Sequence, residues 1–395
     1  MITKKIVKNQ LCVGCGLCAS ILGEESCQMT LTKRGFYYPQ IKGDIDDSIV
    51  KKVCPGIRVH ADNHTGIWGN VIEASEAWSA DSVIRFKAAS GGVVTSLAVY
   101  LIESKKVDAV LHVGVKEGSY LYNELKVSRS KEDIVNNAQS RYAPALTLSS
   151  IIQLLENSHE TYAFIGKPCD IAGLKNLFTQ YPQYKERFHL IISIFCAGMP
   201  SFRATEKTWR QSGRVDEPIS LKYRGDGWPG NFKATWKGGA EYKLSYNESW
   251  GKILGRDLCF RCKICPDGIG VLADISVGDS WSTYNGYPDF TEQDGRCFVM
   301  VRTKRGQQVL SATVENKYII KKQLNIDKIR EMQPYQFQRR KIVGWRILPV
   351  ELFTIGILDF KGLGYIKQMF DSNFREGIEN MRGSTARMIK VMRRK

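Results

Sequence analysis

The sequence has no run of about 18 apolar residues, so no segment reads as a membrane-spanning helix. It opens without the basic stretch and apolar core of a secretion signal, which makes the cytoplasm the expected compartment. Internal repeats and low-complexity tracts are missing. Zinc-finger, RNP-type and helix-turn-helix patterns are missing too, so the net charge of +17 has no nucleic-acid motif behind it, and nucleic acid is not an expected partner. An acidic protein donor, an acidic cofactor or an anionic membrane surface would suit that charge equally.

What the chain does have is cysteine. Eleven of them without a secretion signal point to metal or redox chemistry rather than to a disulfide framework, because the cytosol keeps thiols reduced. The hydrophobic content of 43% and charged content of 25% are those of an ordinary globular protein, and 395 residues are enough for two or three folded units. Composition shifts divide the chain into 1–68, 69–330 and 331–395.

The first unit carries Cys12-Val-Gly-Cys15-Gly-Leu-Cys18 and ends on Cys54-Pro55. A C-x2-C-x2-C run completed by a distant Cys-Pro is the bacterial ferredoxin arrangement for one [4Fe–4S] cluster. Cys12, Cys15, Cys18 and Cys54 are the candidate ligands, with Cys27 an alternative to Cys54. A zinc ribbon would favour paired C-x2-C knuckles instead.

The second unit alternates strand and helix patterns. Ala88-Ala89-Ser90-Gly91-Gly92 leads into an apolar helical run from Val93 to Ile102, with Ser90 the expected N-cap and the glycines open to close approach by a phosphate. Buried-strand patterns follow at Asp108–Val115, Thr161–Gly166 and Leu190–Phe195, and Cys297–Arg302 adds another with Cys297 as a core residue. A helix is expected from Ile171 to about Phe178. Such alternation predicts an α/β domain with a mixed, largely parallel sheet, whose ligands gather at the carboxyl ends of the strands. Cys169 and Cys196 both fall just past such ends. With Cys262 and Cys265 of Cys259-Phe-Arg-Cys262-Lys-Ile-Cys265-Pro266 they make a candidate second metal site, in which Cys259 could replace one member. Tyr223–Gly230 reads as a loop, either a plain turn or a mobile cover for a planar cofactor.

The last unit is a basic helical tail with 13 Lys/Arg against 6 Asp/Glu. Trp345, Phe353, Phe360, Tyr365 and Phe370 are interleaved with these charges. A helical appendage with a solvated basic face is the favoured reading, and peripheral membrane contact is the alternative.

Ala77-Trp78-Ser79, Ala89–Thr95, Ile165-Gly-Lys-Pro-Cys169-Asp-Ile171, Phe195-Cys196, Arg261–Asp267 and Ala273–Asp279 together resemble the beta subunit family of coenzyme F420 hydrogenases and dehydrogenases. The resemblance implies an FAD-binding α/β domain and a [4Fe–4S] cluster held by Cys169, Cys196, Cys262 and Cys265, leaving Cys259 a bystander. It also implies cofactor contacts from Ser90, Gly91, Gly92, Thr95, Ser140, Arg141, Tyr142, Asp274 and Gly278. The N-terminal segment is similar to the ferredoxin-like unit of fused family members.

The expected activity is that of an iron–sulfur flavoprotein oxidoreductase with two [4Fe–4S] clusters and FAD. It would pass electrons between a ferredoxin or the deazaflavin cofactor F420 and a small organic substrate. An electron-relay subunit serving a partner enzyme or a membrane complex is the alternative, and a homo-oligomer or a subunit of a complex is the expected assembly.

Overall fold

The computed structural model describes residues 1–63 and 66–393. Its centre is an eight-stranded sheet of β1 (Glu73–Ser79), β2 (Ala109–Val115), β3 (Asn123–Ser128), β4 (Tyr162–Gly166), β5 (Phe188–Ile194), β6 (Ile275–Asp279), β7 (Cys297–Val301) and β8 (Ile319–Gln323), in the order β8-β1-β7-β6-β5-β4-β2-β3. β2, β4, β5 and β6 form a parallel block. Antiparallel pairs join β3 to β2 on one side and β6 to β7, β7 to β1 and β1 to β8 on the other. The sheet is therefore mixed, with the parallel strands at its centre.

Those central strands are nearly continuous apolar runs because both their faces are covered. On one face α1 (Val93–Glu103) packs with Val309 and Leu310 of α3 (Lys304–Glu315) over Ala163, Leu190, Ile192 and Val277. On the other, Ile171, Leu174 and Leu177 of α2 (Pro168–Gln180) meet Phe164 and Ile191, together with Leu17 and Val53 of the N-terminal segment. α2 begins three residues before the expected start. Pro168 fits the first turn, and Asp170 accepts the Lys167 backbone N–H, closing a capping box. Cys169 thus lies in a helical first turn at the end of β4.

The tail folds into α4 (Pro334–Thr354), a short helix Tyr365–Phe370 and α5 (Phe374–Met392). It is not an appendage with a solvated face. Val343, Ile347 and Val350 of α4 share an apolar core with Ile6, Leu11 and Val50 of the N-terminal segment and with Phe298 and Met300 of β7. Asp359–Lys361 pairs in parallel with Arg58–His60. Arg340, 1% exposed, donates to the carbonyls of Ile67, Pro266 and Leu363, so its charge is buried among backbone acceptors. Among the described residues no helix is long and apolar enough to cross a membrane.

Candidate functional site

A cavity of about 300 Å³ opens at the carboxyl ends of β4, β5 and β6, where an α/β sheet gathers its ligands. Its wall includes the Ser90–Thr95 turn, Ser140–Tyr142, Lys167, Cys196 and Gly278. Gly92 caps α1 in a left-handed conformation (φ 75°), displacing Ser90 from the expected capping role. The Ser90 hydroxyl instead meets the Cys297 thiol at 3.1 Å. Val93, Val94 and Thr95 make up the first turn of an 11-residue helix at the cavity edge, which presents backbone N–H groups and the positive end of the helix dipole to an anion.

The remaining candidate contacts divide. Gly91 is used in packing: a Cβ there would lie 2.9 Å from the Arg296 Cα. Arg141 lines the cavity, but its guanidinium is occupied by Asn123 Oδ1 and by the carbonyls of Tyr120 and Leu221. Tyr142 packs on Trp250 and Tyr223 at the rim. Asp274 sits at the opposite end of β6, where it accepts from the Ile191 N–H and the Thr303 hydroxyl, and it does not line the cavity.

Arg224, buried in the Tyr223–Gly230 loop, makes a two-pronged ion pair with Asp279 at 2.9 and 3.0 Å. Trp228 Nε1 donates to the same carboxylate at 2.9 Å, and the Trp228 ring stacks on Trp281 at 4.4 Å. These contacts anchor the loop, which does not stand as a free cover. Burial opposes the Arg224 charge, but Asp279 outweighs it and holds the guanidinium well above its usual range. Lys167 is a second cation in the wall. Burial again opposes its charge, and Asp170, 2.7 Å away, raises it.

The cysteines form two groups. Cys12, Cys15, Cys18 and Cys54 line one small apolar cavity with Val13, Gly16 and Val53. The Gly14 N–H donates to Cys12 Sγ at 3.3 Å, and the Gly56 and Ile57 amides donate to Cys54. Cys27 is outside this lining and hydrogen-bonds Cys18. Burial raises the Cys15 thiol to about 12.

Cys169, Cys196, Cys262 and Cys265 form the second group. Burial and then the neighbouring Cys262 raise Cys196 to about 12, with Cys265 adding to the effect; burial and then Asp170 raise Cys169, with Cys196 and Cys262 adding. The Met199 N–H donates to Cys262 Sγ at 3.4 Å. Arg339 of α4 donates to the carbonyls of Cys196 and Cys262 at 3.0 and 2.7 Å. Thiols this deeply buried favour the neutral form until a metal supplies positive charge. Among the described residues no three His, Cys, Asp or Glu side chains are grouped to hold a metal ion. In a cubane each thiolate takes its own iron, so its ligands surround a cage and not one ion.

Cys259 is no bystander in packing. Its thiol hydrogen-bonds Cys262 and donates to the Cys12 carbonyl at 3.4 Å. Arg261 beside it donates to the carbonyls of Pro55 and Gly56. The two cysteine groups are therefore docked on each other. Of the two groups, Cys196 reaches the wall of the large cavity. Residues 74–153 match the N-terminal model, and 159–327 the C-terminal model, of the coenzyme F420 hydrogenase/dehydrogenase beta subunit.

The chain belongs to that family. Coenzyme F420 hydrogenase subunit beta of Methanococcus voltae is 26% identical over 277 residues, 67% of this chain and 88% of its own. An uncharacterised protein of Methanocaldococcus jannaschii is 26% identical over 340 residues, 78% of this chain and 88% of its own. In fold, the chain is similar to one in the F420-reducing [NiFe] hydrogenase complex of Methanosarcina barkeri, with a TM-score of 0.55 and 19% identity over 72% of this chain and 96% of that one. The family models end before α4, so Gln333, Gln336 and Arg339 lie outside the matched region.

Proposed function

We propose that the chain is an iron–sulfur flavoprotein oxidoreductase that passes electrons between a ferredoxin-like carrier or coenzyme F420 and an organic substrate. Cys12, Cys15, Cys18 and Cys54 would hold one [4Fe–4S] cluster, and Cys169, Cys196, Cys262 and Cys265 a second. The cavity would hold FAD, its pyrophosphate at the amides of Val93–Thr95. When bound, these groups supply single-electron transfer at the clusters and its conversion to two-electron hydride chemistry at the flavin.

The observation that carries this reading is Cys196, which belongs both to the second cysteine group and to the cavity wall. The chain's own residues suit the task. Backbone N–H groups of Gly14 and Met199 point at sulfur, the contacts by which a protein tunes such sites. Trp281, Tyr246 and Trp250 make one side of the cavity apolar and exclude water. Lys167 and Arg224, each held in an ion pair with a carboxylate of the same wall, would give a bound ring fixed polar neighbours.

A second reading, an electron-relay subunit without its own substrate, is favoured by relatives named as beta subunits and by exposed Leu352, Ile355, Phe370 and Phe374 on the tail. Adding reduced F420 to the anaerobic protein separates the two. Flavin bleaching with turnover onto a small organic acceptor supports the enzyme. Electron exchange only with a co-purified protein supports the relay.

A further inference from the structure

α4 approaches the cavity with residues three apart on one helical face. Gln333 Nε2 donates to the Asp279 carbonyl at 2.8 Å, fixing the helix to the end of β6. Arg339 donates to the Cys196 and Cys262 carbonyls, fixing it to the second cysteine group. Gln336 lies between these two anchors. It lines the cavity, is 2% exposed, and its Oε1 has no hydrogen-bond partner. A buried carboxamide oxygen without a donor costs stability unless a ligand supplies one.

We infer that α4 completes the cofactor cavity and that Gln336 hydrogen-bonds the polar edge of a planar heterocycle held there. The inference rests on the flavin reading above and adds a contact from outside the family-matched region. The chemistry is complementary. The imide edge of an isoalloxazine places one N–H between two carbonyls, and a carboxamide offers it an acceptor beside a donor. Gln333, which caps α4 on the same wall, spends its Nε2 donor on the Asp279 carbonyl and so anchors the helix beside Gln336. The apolar cavity wall makes the added bond count for more than it would in water.

The test is titration of flavin-stripped, full-length protein with FAD under anaerobic conditions, read by quenching of flavin fluorescence. Gln336→Met keeps the side-chain volume and removes the amide, and its FAD dissociation constant should rise about tenfold. Gln336→Glu keeps an oxygen acceptor and should stay within about threefold of the unaltered chain. Gln338→Met, which alters the same helix where it pairs with Glu376, should leave FAD binding unchanged.

FAD methylated at the imide nitrogen should bind the unaltered chain more weakly than FAD does, while Gln336→Met should not distinguish the two ligands. If Gln336→Met binds FAD as tightly as the unaltered chain, the Gln336 contact is overturned and the flavin reading stands. If the unaltered chain binds no FAD, both fall.

Discussion

The Cys259 thiol donates to the Cys12 carbonyl at 3.4 Å across 247 positions of sequence. Cys12 belongs to the N-terminal cysteine group, and Cys259 hydrogen-bonds Cys262 of the other. One side chain thus joins two sites whose members come from five separate stretches of the chain. On the proposed cluster assignment Cys259 acts there as a joint between the groups rather than as a ligand.

That assignment predicts the outcome of two substitutions. Cys259→Ala should leave the iron content of anaerobically purified protein unchanged, whereas Cys262→Ala should lose about half of it. Iron analysis of both variants decides the point. Equal losses would make Cys259 a ligand.

The Arg224–Asp279 pair sits in the cavity wall, and Arg224 is almost wholly buried. Asp279→Ala leaves that guanidinium without its counter-charge and should lower unfolding stability by about 3–5 kcal/mol. Asp279→Ala combined with Arg224→Met should recover part of the loss, because no buried charge remains. Urea unfolding midpoints of the single and double variants measure both effects.

Buried His112 lies in the cavity wall and pairs with the Ser128 hydroxyl at 2.7 Å. Burial lowers its pKa from 6.5 to about 4. Between those values the unfolded chain binds a proton that the folded chain does not, so stability falls as pH drops through this window. The loss should reach about 1.5 kcal/mol between pH 6.5 and pH 5. His112→Gln should flatten that part of the stability profile relative to the unaltered chain.

Gly92 caps α1 at positive φ, and a Cβ there would lie 3.0 Å from the Ser79 Cβ. Gly92→Ala should cost about 1–2 kcal/mol of stability and shift the amides that face the cavity. FAD affinity should fall with it. Unchanged affinity would separate the turn from the pyrophosphate site.

How much of this was legible in the sequence follows from the range of each interaction. That the C-x2-C-x2-C run gathers into one group reads directly, because three cysteines at that spacing wrap one small cavity. The central strands read because burial on both faces makes them continuous apolar runs. Arg224, Asp279, Gln336 and Arg339 could not be found this way. Asp279 pairs with Arg224 and Trp228 from 55 and 51 positions away, Arg339 reaches backbone carbonyls of distant residues, and Gln336 Oε1 has no partner, so no local period records any of them.

The tail misled for a related reason. Basic residues usually mark a solvated face, but Arg339 and Arg340 are buried and reach carbonyls of distant loops. Ser90 misled because serine and glycine both cap helices, and the left-handed backbone at position 92 decided for glycine.

The central claim is that two cysteine groups and one cavity serve two clusters and a flavin. Iron and flavin content of anaerobically purified protein, read with electron paramagnetic resonance after reduction, tests it most directly. The account predicts about eight irons and one noncovalent FAD per chain with signals from two clusters. It also predicts loss of one signal in Cys169→Ser and of the other in Cys12→Ser. Bound zinc in place of iron, an absence of flavin, or both signals surviving in Cys169→Ser would contradict it.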